Sequence, residues 1–173
     1  MENQSAQIQV RDATLDDTDF ILAAWDSTLP FLDSIGAGEM WGDEPFSQRE
    51  GQKQETMEII QRSEEDPQDD SRRLLVAEVT ATTDGIAGAA PVGAAIIRDI
   101  MPYYLFQRPE LEGETNKADS LLFIEVLITD HRADRQRRGA GAALVEAIKR
   151  RAISKGKSAV YVDAWAGNGR KLN

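Results

Sequence analysis

The chain has 173 residues, 20 basic against 30 acidic, with a net charge of −10 and no cysteine. That length suits a single domain, 1–173, and the acidic balance argues against a sequence-independent nucleic-acid binder, whose affinity comes from neutralising phosphates. Zero cysteines exclude disulfides, thiolate zinc sites and a cysteine nucleophile, and a single histidine, His131, excludes a histidine-rich metal site.

The polar start, Met1 to Ser5, shows no targeting signal, and no apolar run approaches the length of a membrane span. A cytoplasmic protein without membrane or nucleic-acid partners is expected. Gln7 to Asp12 alternates as a short strand. Thr14, followed by Leu15, Asp16 and Asp17, is an N-cap with acids in the first turn. The helix it opens carries Phe20, Ile21, Ala24 and Trp25 near helical spacing, and Pro30 is expected to end it. Residues 33–46 hold four glycines or prolines together with Trp41 and Phe46, which predicts a long ordered loop. Ser47 to Glu64 reads as a polar helix with Met57, Ile60 and Gln61 facing inwards, followed by an acidic turn over Glu64 to Asp70.

Arg73 to Thr80 and Val92 to Ile100 are β-rich runs, and Thr82 to Pro91 between them predicts a hairpin loop. Met101 to Ser120 reads as another loop. Leu121 to Thr129 is a strongly marked strand. Gly139 to Lys155 is a strongly marked helix, with Leu144, Ile148 and Ala152 on one face and Gly156 as its stop. Ala159 to Ala164 is a last strand. The order β-α-α-β-β-β-α-β predicts an α/β (α+β) sheet with helices against its faces.

The net charge conceals an asymmetry. From His131 to Asn173 there are eleven basic and three acidic residues, +8, which leaves −18 for the first 130. An acidic body with a basic end fits an anion bound locally, and it also fits two oppositely charged solvated faces. The anion has a candidate site. After the marked strand comes Arg135-Gln136-Arg137-Arg138-Gly139-Ala140-Gly141-Ala142, with the marked helix beginning inside it. A glycine turn at a helix N-terminus exposes unpaired N–H groups at the positive end of the helix dipole, a phosphate-binding arrangement. The alternative is close helix–strand packing at Gly139 and Gly141 with solvated arginines. No G-x-x-x-x-G-K-[ST] loop is present, and Leu144 stands where a dinucleotide fingerprint requires a third glycine.

The run Gln136-Arg137-Arg138-Gly139-Ala140-Gly141 resembles the Q/R-x-x-G-x-G/A signature of the Gcn5-related N-acetyltransferases (the GNAT superfamily), and the order of elements follows that family over most of the chain. The resemblance implies a mixed, mostly antiparallel central sheet flanked by helices. It also implies acetyl-CoA as acyl donor, with no metal. Its pyrophosphate would be held by backbone amides of Arg137, Arg138, Gly139, Ala140, Gly141 and Ala142. The pantetheine arm would pair with the strand end at Leu127, Ile128 and Thr129, and Asn168 would contact the cofactor. His131 stands where the family commonly has an apolar residue, which implies a bulge or short insertion before Arg135. Family members usually continue into a further helix, with a tyrosine that protonates the leaving thiolate, and two more strands. This sequence stops at Asn173, so a C-terminally truncated domain is one expectation.

Transfer from a thioester to an amine needs a neutral amine, so a general base helps. Glu125 interrupts the apolar run Leu121 to Ile128, where partial desolvation favours a base. Its spacing to Gln136 also resembles that of the glutamate base in the histone-acetyltransferase branch. A strand glutamate paired with a cation, or facing solvent, is the other reading. Asp163 is a candidate relay or cation ligand, with a sheet-end ion pair as the favoured reading. The family places its acceptor loop between the first two helices, so Glu39 and Trp41 there are candidate ligands for a cationic amine. Trp41 closing the edge of the core is the alternative. Tyr103 and Tyr104 are candidate linings of the same site. The expected activity is direct acetylation of a small cationic primary amine. A protein lysine or N-terminal acetyltransferase, an inactive CoA-binding module and a homodimer are also compatible.

Overall fold

The computed structural model describes residues 7–83, 86–167 and 169. The first strand, β1 (Gln7–Asp12), leads to a single 3-10 turn over Leu15–Asp17 and then to α1 (Thr18–Ser34). Thr14 opens this turn as its composition predicts. Its N–H donates to Asp17 at 2.8 Å, and Asp17 also accepts two bonds from Arg11 at 2.7 and 3.0 Å. Burial pushes the Asp17 carboxyl up, but the bonds from Arg11 and Thr14 outweigh it and hold the group below the ordinary carboxylate value. A group lowered on folding contributes stability above its unfolded pKa and loses it as pH falls through the folded one. Melting temperatures of the wild type and Asp17→Asn should therefore differ at neutral pH and converge as acid protonates the wild-type carboxyl.

Pro30 does not end α1, which runs on to Ser34. Proline removes one helical bond, but Leu29 and Leu32 on either side are buried, and their packing holds the last turn. The stop comes at Gly36. Its φ of +74° lets Gly36 N–H reach Asp33 O and Ala37 N–H reach Leu32 O at 2.7 Å, a Schellman closure. The connection that follows contains single turns at Gly38–Met40 and Phe46–Gln48. Next, α2 (Gln52–Glu65) starts later than predicted and buries Ile59 and Ile60; Gln61, expected inside, is exposed.

The next two strands are longer than their sequence suggests, β2 (Arg73–Thr83) and β3 (Ile86–Arg98), so most of the expected hairpin loop is ladder. Pro91 is tolerated there because the register skips Val92, and a bulge does not need its missing N–H. Residues 101–120 fold as short turns, including α3 (Tyr103–Phe106) and α4 (Glu112–Thr115). Then come β4 (Leu121–Thr129), a 3-10 segment over His131–Arg137, α5 (Ala140–Ser154) and β5 (Ala159–Val162).

The sheet has the order β1-β2-β3-β4-β5, antiparallel except for the parallel pair β4–β5. One face, with Leu74, Val76, Ala94, Ile96, Val126 and Ile128, packs against α1 and α2. The other, with Leu75, Ala77, Ala95, Ile97, Leu122 and Ile124, is covered by Leu144, Ile148 and Ala152 of α5. The predicted α/β order and its mostly antiparallel mixed sheet are thus present. Gly93 lets the first turn of α5 come down on β3: an added Cβ would lie 2.9 Å from Ile128 O and 3.4 Å from the Ala140 Cβ.

Candidate functional site

Two irregularities of β4 create the site. Its parallel pairing with β5 covers only Leu121 to Ile124, and β4 then continues to Thr129 with β3 on one side and no strand on the other among the described residues. Asp130 N–H bonds Val92 O at 2.8 Å, so by ladder alternation Ile128 and Val126 turn their backbones to β3. Leu127 and Thr129 then present N–H and C=O to the open edge. Ile128, expected there, instead gives its backbone to β3 and its side chain to the core. Leu127 is exposed.

The second irregularity is a bulge. Ile97 pairs with Ile124 and Ile96 with Val126, which leaves Glu125 as the extra residue, beside the point where β5 stops. Of the readings open to Glu125, a partly desolvated base and a strand glutamate paired with a cation or facing solvent, the structure shows the cation. Arg72 donates to both Glu125 oxygens, at 2.9 and 2.7 Å, and also to Glu55 of α2 at 2.6 Å. The Arg98 guanidinium lies 4.0 Å away. Hydrogen bonds that it donates to Glu125 and Glu55 push the Arg72 guanidinium up despite burial, so it stays charged. On the same side, Tyr104 of α3 donates its hydroxyl to Asp163, just past β5. Burial, then Asp163, raises the Tyr104 phenol, which keeps it a neutral donor. Sequence reasoning reached Tyr104 and Asp163 separately and missed Glu55, Arg72 and Arg98. No local pattern joins positions 53 residues apart such as Arg72 and Glu125.

Beyond the open edge lies the glycine turn. Gly139 caps α5 with φ +86°, a conformation that disfavours any side chain. Ala143 N–H makes the first bond of the helix, to Gly139 O, so the amides of Ala140, Gly141 and Ala142 precede the ladder. Arg138 N–H, expected with them, is already bonded to Arg135 O at 3.1 Å. The two glycines differ in kind. A Cβ on Gly141 would meet nothing within 4 Å, so close packing does not explain that residue.

The basic residues of this end of the chain serve several purposes: Arg132 pairs with Asp130 and Lys149 with Glu146. Arg151 and Lys155 clamp Asp70, at 2.7 and 3.7 Å, and hold the far end of α5 to the acidic turn before β2. Arg135, Arg137 and Arg138, beside the glycine turn, make no ion pair among the described residues, and Thr129 accepts a bond from Arg137 at 3.2 Å. His131 stacks on Phe31 of α1 with ring centres 4.7 Å apart, and burial, then Arg137, lowers its pKa.

The α1–α2 connection separates the two residues expected to act together. Trp41 packs edge-on against Trp25 and Phe46, at 6.0 and 5.7 Å, and its carbonyl accepts from Arg49. It is half-buried at the edge of the core. Glu39 is exposed and lines a pocket of about 630 Å³ with Asp33 and Asp43. Asn168 lies outside the described residues. Among the described residues there is no cluster of three metal-ligating side chains, and no helix is long and apolar enough to cross a membrane.

No protein-family model matches the sequence, and no curated protein aligns with it as a relative. Solved structures do match. A transcriptional regulator from Bacillus halodurans superposes with TM-score 0.53 at 18% identity, over 96% of this chain and 87% of its own. AAC(6')-Iy, in complex with the bisubstrate analogue CoA-S-monomethyl-acetylneamine, gives 0.52 at 18%, over 96% and 86%. A Gcn5-related N-acetyltransferase from Ralstonia eutropha gives 0.53 at 14%, over 96% and 88%. By these superpositions, over 96% of its length, the chain has the fold of the Gcn5-related N-acetyltransferases.

Proposed function

We propose that the protein is an acetyl-CoA-dependent N-acetyltransferase. The observation that carries this is the adjacency of three features: an anion-ready helix end, three arginines that make no ion pair among the described residues, and a strand edge left open where β5 stops beside β4. Acetyl-CoA fits these groups, because an elongated ligand with a pyrophosphate and an amide-bearing arm uses all three. When bound it supplies an acetyl thioester, whose C–S bond is exchanged for a C–N bond to the amine.

The chain's own residues supply the rest. The amides of Ala140, Gly141 and Ala142 hold the anion, with Arg135, Arg137 and Arg138 supplying the field around it. Leu127 and Thr129 offer backbone donors and acceptors to the arm. Glu125 takes the amine's proton through the lone pairs that Arg72 does not use, a carboxylate having about four lone-pair sites. With no cysteine in the chain, attack is direct. The acceptor we infer is a small cationic primary amine, supported by the pocket lined by Asp33, Glu39 and Asp43.

A second reading is a CoA-binding module without turnover. It is favoured by the transcriptional regulator among the matching structures, since one fold hosts unrelated activities. Thermal shift and thiol release distinguish the two. Acetyl-CoA at a hundred times its Kd should stabilise the protein by about 2.7 kcal/mol. Free thiol should then appear with at least one member of a panel of primary amines. No stabilisation overturns both readings; stabilisation without thiol release from any amine leaves the module.

A further inference from the structure

Arg98 closes β3 and pairs across the ladder with Phe123, next to the bulge that sets Glu125 apart. By alternation with Ile96, its side chain stands on the face that carries α1 and α2. There it approaches Glu125 without bonding it, Arg98 Nη1 lying 4.0 Å from Glu125 Oε2. Both Glu125 oxygens are taken by Arg72, which Glu55 also holds. The two arginines are thus unlike. Arg72 bonds carboxylates through all three of its nitrogens, whereas Arg98 Nε is buried with no partner among the described residues. Asp163, on the same side, is engaged by Tyr104. A polar group left unpaired costs free energy, and such a cost kept beside a reacting centre points to a ligand. The Arg98 and Glu125 side chains are 25% and 24% exposed, so both are open to one.

We propose that Arg98 binds a carboxylate of the acceptor, and that the acceptor is a free basic amino acid acetylated on its α-nitrogen. This rests on the acetyltransferase reading above and narrows its cationic amine. A guanidinium takes a carboxylate through two parallel bonds. The 4.0 Å between Arg98 and Glu125 then sets the spacing. A carboxylate on one and an amine on the other must be close neighbours in the ligand, as they are across the single α-carbon of an amino acid. Such a pair also adds no net charge to the site. A basic side chain retains the cationic character inferred from the pocket lined by Asp33, Glu39 and Asp43. In the transfer, the C–S bond of the thioester is exchanged for a C–N bond. Of the two protons the ammonium loses, one leaves through Glu125 to solvent and the other goes to the departing sulfur. The products are an Nα-acetyl amino acid and the free thiol.

Lysine and lysinamide, alike in size and in both amines, differ in the carboxylate and so test the assignment. Thiol release from lysine should show a kcat/KM about tenfold or more above that from lysinamide. The α-amine of the amide is the less basic and more of it is neutral, so that bias runs against the expected result. Fragment mass spectrometry should place the acetyl group of the lysine product on Nα. Arg98→Met should bring the lysine-to-lysinamide ratio to about one, and Arg98→Lys should keep part of it, since the charge remains without the fork. The wild-type pair decides even where a variant fails to fold. Equal use of lysinamide, acetylation on Nε, or an unchanged ratio in Arg98→Met overturns the carboxylate site and leaves acetyl transfer in place. No thiol from these or any other amine overturns acetyl transfer itself, and this assignment falls with it.

Discussion

Gly141→Leu should leave the free protein at least as stable as the wild type while weakening acetyl-CoA binding 100-fold or more, about 2.7 kcal/mol. The two halves of this expectation have separate causes. An added Cβ at Gly141 meets no protein atom within 4 Å, and leucine is a better helix former than glycine by nearly 1 kcal/mol. The free fold therefore has no reason to suffer. A phosphate seated on the amides of Ala140, Gly141 and Ala142 would occupy the space into which the leucine grows. Gly139→Ala is the contrasting variant: φ of +86° makes any side chain there strained, so stability and binding should fall together. Titration calorimetry beside thermal melts reads both quantities. Unchanged affinity in Gly141→Leu would move the anion away from α5.

Glu125→Gln should lower kcat by about a hundredfold or more, the usual size of a lost general base, with little change in the KM for acetyl-CoA. Because Arg72 binds both Glu125 oxygens, the variant also disturbs an ion pair, and a rate loss alone is ambiguous. The pH profile separates the causes. A base works only when deprotonated, so the wild-type rate should fall on the acid side, and the variant should lose that limb. If Glu125 only anchors Arg72, the variant should melt earlier and keep the limb. Arg72→Met gives a second comparison, since it frees the carboxylate without removing it.

Much of this architecture was legible where one physical signal dominated. Leu121 to Thr129 and the helix ending at Gly156 were readable because apolar periodicity and a stop residue agree there. Pro30 misled because the local cost of proline is visible in sequence, whereas the burial of Leu29 and Leu32 that offsets it is tertiary. The glycine turn was legible as a motif, yet the amide of Arg138 is consumed by a turn bond that no motif records. Glu125 stood out as a charge in an apolar run, but its partners arrive from just before β2 and from the end of β3, and Arg72 is held in turn by Glu55 of α2. Such convergence depends on topology, as does the contrast between the clamp on Asp70 and the three arginines beside the glycine turn.

The bulge at Glu125 has a bearing on how this protein could diverge. Ile124 and Val126 already face opposite sides of the sheet and already pair with consecutive residues of β3. Deleting residue 125 would let the ladder close with every core side chain still on its present face. Packing alone does not require the position. A lineage that abandoned the chemistry could drop the residue outright, whereas one that kept it would preserve the insertion. Among future relatives, a gap or its absence at this place should track activity more closely than overall identity does.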